Sequence, residues 1–243
     1  MLSTRTQFPA TRLGGSHGRI LVCPHGLGVV EPIGMKTVYN RIAGESVERL
    51  AALSDGIFAV AMTLLGLDLH APAREAVHSE RDLWRALCDL SPQLTTYLMS
   101  FLTLGIFWNG QQAQLNRFAR TDRQLTWIHI LFLFSVSIMP FSTKLLSEFI
   151  VFRTALLCYW INVLVFGVVL YFSWFHAKRT GLLKEGTPAD VGKALERRIV
   201  VGQALYAFGA ALCVVNTYVS IGFIVLVQLN FAIAPRVRFL NRF

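Results

Sequence analysis

The sequence predicts an all-α membrane protein of six transmembrane helices, with both termini cytoplasmic. Three observations carry that expectation. Of 243 residues, 54% are hydrophobic and 15% charged, against about 25% charged in an ordinary soluble domain. Several apolar runs approach the ~20 residues a helix needs to cross about 30 Å of hydrocarbon. Lys and Arg gather in alternate loops, the pattern of cytoplasmic loops between membrane spans.

Residues 1–44 are Gly-rich and carry Arg5, Arg12 and Arg19 with no acid before Glu31. The run 20–30 is broken by Pro24, His25 and Gly26, so it makes a poor signal-peptide core. The segment reads as a disordered arm, and translation from Met35 is a second expectation. The membrane domain spans 45–235, and 236–243 form a cytoplasmic tail.

Helix 1 is expected over 47–69. It is apolar or small almost throughout, with Ser54 and Asp55 in its first third. A carboxylate is costly in lipid, so Asp55 should face protein or water. A polar segment, 70–90, follows. Ser91-Pro92 reads as an N-cap and a first-turn proline, opening helix 2 at 91–110, which ends in Phe107-Trp108. Arg117, Arg120 and Arg123 fill a short basic loop. Helix 3 covers 124–146, with Trp127 near an interface and Pro140 expected to kink it. Lys144 and Glu148 straddle the turn before helix 4, at 151–176. The loop 177–198 is strongly basic. The last apolar run, 199–235, exceeds one span and divides near Asn216-Thr217-Tyr218 into helices 5 and 6.

Six spans put both termini on one side, and 18 of the 23 Lys and Arg residues fall there. That side is cytoplasmic. The same loops account for the net charge of +9, so nucleic acid is not an expected partner. The four cysteines are far apart, without metal or redox spacing. There is no nucleotide-binding loop and no internal repeat. No catalytic residue, metal ligand or cofactor is expected; Ser, His and acid do not meet at one depth.

At about 100° per residue, setting Gly56 at zero places Val60 about 40° to one side, Thr63 about 20° to the other and Leu67 about 20° from zero. The four form one narrow stripe. Asp55 lies about 100° away on a face shared with Ala59 and Gly66, small residues suited to close helix packing. The alternative is that every polar residue here packs, with Thr63 bonding its own helix. Arg49 sits at the cytoplasmic end, where snorkelling suffices to explain it. His129 reads as a packed core histidine, and Asn162 as a hydrogen-bonding residue between helices.

Arg49-x-x-x-Leu53-Ser54-Asp55 and the continuation Gly56-Ile57-Phe58-Ala59-Val60-Ala61-Met62-Thr63 resemble the transmembrane protein 175 family of potassium channels, in its prokaryotic six-helix form. Phe107-Trp108 is similar to the end of that family's helix 2. Leu131-Phe132-Leu133, Val136-Ser137, Pro140-Phe141 and Thr143 are similar to its helix 3. The resemblance implies a homotetramer in the cell membrane, the bacterial inner membrane, with helix 1 of each subunit around a central pore. It puts the constriction at Val60, the selectivity layer at Thr63 and a further apolar ring at Leu67, with Gly56 a small pore-lining residue. Arg49, Ser54 and Asp55 would form a structural network. Two departures stand out: Leu53 replaces the motif phenylalanine, and Gln111-Gln112 replace paired histidines.

The expected function is a potassium-permeable channel with modest K⁺ over Na⁺ selectivity, the permeant ion being its only ligand and lipid its surroundings. A secondary or proton-coupled transporter using Asp55 is the alternative, and a membrane-embedded enzyme the third class.

Overall fold

A computed structural model describes residues 46–233. The arm 1–44, the Met35 start and the tail 236–243 lie outside the described residues. Within them the chain is helical: α1 (Val47–Leu67), α2 (Glu80–Asp89), α3 (Ser91–Leu115), α4 (Arg123–Glu148), α5 (Arg153–Arg179), α6 (Ala189–Ala211) and α7 (Thr217–Ile233). Short 3-10 turns stand at Arg74–Ala76 and Leu212–Val214.

Four of these helices are long and apolar enough to cross a membrane: α1, α4, α5, and α6 with its following turn. Helix α3 has 25 residues but buries Thr96, Ser100, Thr103, Gln111 and Gln114, which lowers its mean hydropathy. Helix α7 is apolar and has 17 residues.

The helices begin where local chemistry starts them. Ser46 Oγ accepts from the Arg49 amide and caps α1, and Asp122 Oδ1 accepts from the Leu125 amide and caps α4. The expected Ser91 cap is corrected, since Ser91 is the first residue of α3. Leu90 occupies the cap position without a side-chain bond, because α2 ends on that same residue. The segment 70–90 is not merely a polar connection. It contains α2, opened by Ser79, whose Oγ accepts from the Asp82 amide and donates to its carboxylate. The basic segment 177–198 is likewise only half a loop, because α6 already begins at Ala189. Helix α4 runs on through Pro140.

Helices α4 and α5 pack most extensively, and α1 lies against α4 and α3. A chain of aromatic rings joins all four. Phe58 of α1 meets Phe132 of α4 at 5.9 Å between centroids, Phe132 meets Phe166 of α5 at 5.7 Å, and Phe107 of α3 closes edge-on to Phe166 at 5.0 Å. Tilted and edge-to-face pairs add to the stabilisation from area burial alone. This core fixes which side of α1 faces inward.

At one end of the bundle the two loops are tied. Phe118 and Leu183 form an antiparallel bridge, with Ala119 donating to the Leu182 carbonyl and Lys184 to that of Arg117. His176 Nε2 stands 2.9 Å from Asp122 Oδ2, linking the end of α5 to the start of α4.

Candidate pore-lining helix and its anchors

Helix α1 buries Leu50, Ser54, Phe58, Ala61 and Leu65. These recur at helical spacing and make one inward face. The stripe of Gly56, Val60, Thr63 and Leu67 falls on the opposite side. All four are exposed in the subunit, Val60 by 58% and Leu67 by 73%, and a Cβ at Gly56 would meet nothing within 4 Å. Thr63 Oγ1 donates to the Val60 carbonyl at 2.8 Å, so its proton is used within the helix while its oxygen still offers lone pairs outward. Gly56 and Val60 also border an open apolar crevice between α1 and α4, whose far wall is Ile130, Leu133, Phe134 and Ser137.

The face of Asp55, Ala59 and Gly66 does not meet a helix along its length in the subunit. Asp55 and Ala59 are exposed, and a Cβ at Gly66 meets nothing within 4 Å. Asp55 itself is held: its Oδ1 accepts from Trp108 Nε1 at 2.8 Å and from Gln112 Nε2 at 2.7 Å. Ser54, one residue earlier, points inward and is fully buried. It donates to the Leu50 carbonyl and accepts from Gln111 Nε2 at 2.9 Å. The same Gln111 nitrogen lies 3.3 Å from His129 Nδ1, and His129 Nε2 lies 3.0 Å from Ser173 Oγ. A buried polar chain thus runs from α1 through α3 and α4 to α5. Arg49 is exposed and makes no ion pair among the described residues.

The neighbouring residues Ser54 and Asp55 therefore bond on two sides of α1, and both reach α3. The glutamine pair supplies the two donors: Gln111 serves Ser54, and Gln112 serves Asp55. Sequence reasoning singled out Ser54 and Asp55 but missed Trp108, Gln111 and Gln112 as their companions, and Ser173 as that of His129. The signal was present in the spacing, since Trp108, Gln111 and Gln112 lie one turn apart on α3.

A second polar cluster lies deeper in the bundle. Thr103 of α3, Tyr159 of α5 and Gln228 of α7 meet: Thr103 Oγ1 is 2.9 Å from the Tyr159 hydroxyl and accepts from Gln228 Nε2 at 2.7 Å. Asn162 donates to Ser142 Oγ at 3.2 Å across α5 and α4, as expected of an interhelical amide. His129 is fully buried, in keeping with a packed core histidine. Among the described residues, no cluster of His, Cys, Asp or Glu could hold a metal ion.

The family model described as "Endosomal/lysosomal potassium channel TMEM175" matches residues 49–140, which take in all but the first two residues of α1, then α2, α3 and most of α4. A potassium channel of Streptomyces collinus is 31% identical over 173 residues, 69% of this chain and 82% of that one. A potassium channel of Chamaesiphon minutus is 29% identical over 189 residues, 76% of this chain and 93% of that one. Among solved structures, that of a lysosomal potassium-selective channel TMEM175 homolog from Chamaesiphon minutus superposes with a TM-score of 0.66 at 27% identity. The match covers 79% of this chain and 98% of that chain.

Proposed function

Because the chain belongs to the TMEM175 family of potassium channels, we propose that it forms a potassium-permeable pore lined by α1. Six helices cross the membrane, α3 and α7 joining the four of spanning length and hydropathy. Four subunits place their α1 helices around a common axis in the bacterial cell membrane, with both termini cytoplasmic.

The observation that carries the reading is the orientation of α1. Its inward face is filled by Phe58, Leu65 and their neighbours, while Gly56, Val60, Thr63 and Leu67 stand out of the subunit on the other side. A monomer exposing this helix along its length leaves it for lipid, a partner or an ion path. Gly and Thr are poor choices for lipid. They suit a narrow axis, where Gly lets backbones approach and a hydroxyl replaces part of an ion's water shell.

Four Val60 side chains then make an apolar ring that closes by dewetting, and Leu67 a second ring farther out. Thr63, donating to the Val60 carbonyl, offers its oxygen to the cation and supplies modest preference for K⁺ over Na⁺. Asp55 supports α1 rather than carrying the ion, because two N–H groups of α3 already occupy one of its oxygens.

The test is K⁺ and Na⁺ flux from purified protein in liposomes, with the mass of the assembly measured on the same sample. Large passive K⁺ flux from a tetramer is the expected result. A saturating, substrate-coupled flux would transfer the assignment to a transporter.

A further inference from the structure

A crevice open to the surface lies away from the α1 stripe, among α3, α5, α6 and α7. Its apolar walls are Ile106, Phe107, Leu170, Leu195 and Ile199. Two glycines in its wall leave room. A Cβ at Gly110 of α3 would meet nothing within 4 Å, and one at Gly202 of α6 only Phe231 Cζ at 3.9 Å.

The crevice is not uniformly apolar. Gln114, 1% exposed, and Tyr206, 3% exposed, line it together with Gln203. Gln114 Nε2 donates to the Leu170 carbonyl and Gln203 Nε2 to that of Val163. Gln114 Oε1 and Gln203 Oε1 are buried without a hydrogen-bond partner among the described residues. Unpaired buried acceptors are costly and call for a donor. At the rim, Arg198 lies over the Phe231 ring, Cζ to centroid 5.8 Å, with no ion pair among the described residues. An unneutralised cation, hydroxyl-seeking acceptors and an apolar slot together match an anionic, hydroxylated amphiphile.

We propose that this crevice is a binding site for one anionic phospholipid per subunit. The phosphate rests on Arg198, headgroup or glycerol hydroxyls donate to Gln114 and Gln203, and an acyl chain fills the space between Gly110 and Gly202. In the orientation proposed above, Arg198 and the end of α3 belong to the cytoplasmic leaflet. The site does not depend on conduction through α1, so failure of either reading leaves the other standing.

The test uses the full-length protein in detergent, titrated with phosphatidylglycerol or with phosphatidylcholine of the same acyl chains. Bound lipid is counted by native mass spectrometry and thermal midpoints are followed in parallel. One phosphatidylglycerol per subunit, preferred over phosphatidylcholine, is expected. Arg198→Gln should weaken it about fivefold, the usual worth of one basic residue against an anionic lipid, and Arg198→Lys should restore most of the affinity. Gly202→Leu should fill the slot and abolish retention, and Lys193→Gln, an exposed neighbour on α6, should change nothing. Equal retention of the two lipids, an unaltered Arg198→Gln protein, or an equal loss in Lys193→Gln would overturn the proposal. So would a Gly202→Leu protein that loses its partners while keeping lipid, since the crevice would then seat a second copy of the chain.

Discussion

Gln112 Nε2 donates to Asp55 Oδ1 at 2.7 Å, joining helices whose contacting residues are 57 positions apart in the chain. Trp108 reaches the same oxygen from one turn earlier. The α1 motif is thus tied by its carboxylate to α3, a helix the subunit core already holds. Asp55→Ala should lower the thermal midpoint by the equivalent of about 1 kcal/mol, the reduced value for charged hydrogen bonds open to solvent. It should also change the open fraction more than the unitary K⁺ conductance. A loss of K⁺ flux with full stability, together with substrate-coupled flux in the wild type, would return Asp55 to the ion path.

Among the described residues, Gln111 is the one amide that reaches both Ser54 and His129. Gln111→Leu removes the donor and leaves two buried groups facing an apolar side chain. A cost of about 1–3 kcal/mol follows, read as a lower melting temperature in detergent. Gln112→Leu, at a more exposed position, should cost less. Equal effects would mean that burial does not set the scale here.

Val60 marks the proposed constriction. Val60→Ala and Val60→Gly should raise conductance or leak, as the ring widens and wets more readily. Single-channel recording in planar bilayers measures this directly. Unchanged currents in both variants would remove this face of α1 from the pore.

Thr63→Ala should lower the K⁺/Na⁺ permeability ratio, and Thr63→Ser should preserve it, because serine keeps the oxygen and the bond to the Val60 carbonyl. Reversal potentials under bi-ionic conditions decide the matter. A ratio unaffected by Thr63→Ala would place the selectivity layer elsewhere.

Gly167 sets the approach of α5 to α6. A Cβ there would collide with the side chain of Gln203, its Nε2 and Cδ included. Gly167→Ala must therefore displace Gln203, break its bond to the Val163 carbonyl and cost about 1–2 kcal/mol. Gly105→Ala, where a Cβ meets nothing within 4 Å, is the matched control and should be neutral or mildly stabilising.

The long helices were legible because spanning length and hydropathy are local properties. Their ends moved by a few residues where polar side chains continue a helix, as Gln111 and Gln114 do at the end of α3. Helix α2 escaped notice because ten mixed residues carry no spanning signal. Ser79 and Asp82 at capping spacing, ahead of Leu83, Trp84 and Leu87, were the available clue. The stripe on α1 followed from helical angles. The companions of Ser54 and Asp55 did not, because the register between α1 and α3 is set by the packing of Phe58, Phe132, Phe166 and Phe107 rather than by either sequence alone.

Thr103 waits 125 residues for the amide of Gln228. A nascent chain threading into the bilayer therefore carries α3 with that hydroxyl unmatched by its final donor until α7 has been synthesised. Helix α7 acts as a keystone for that cluster, which is complete only once α7 has packed against α3.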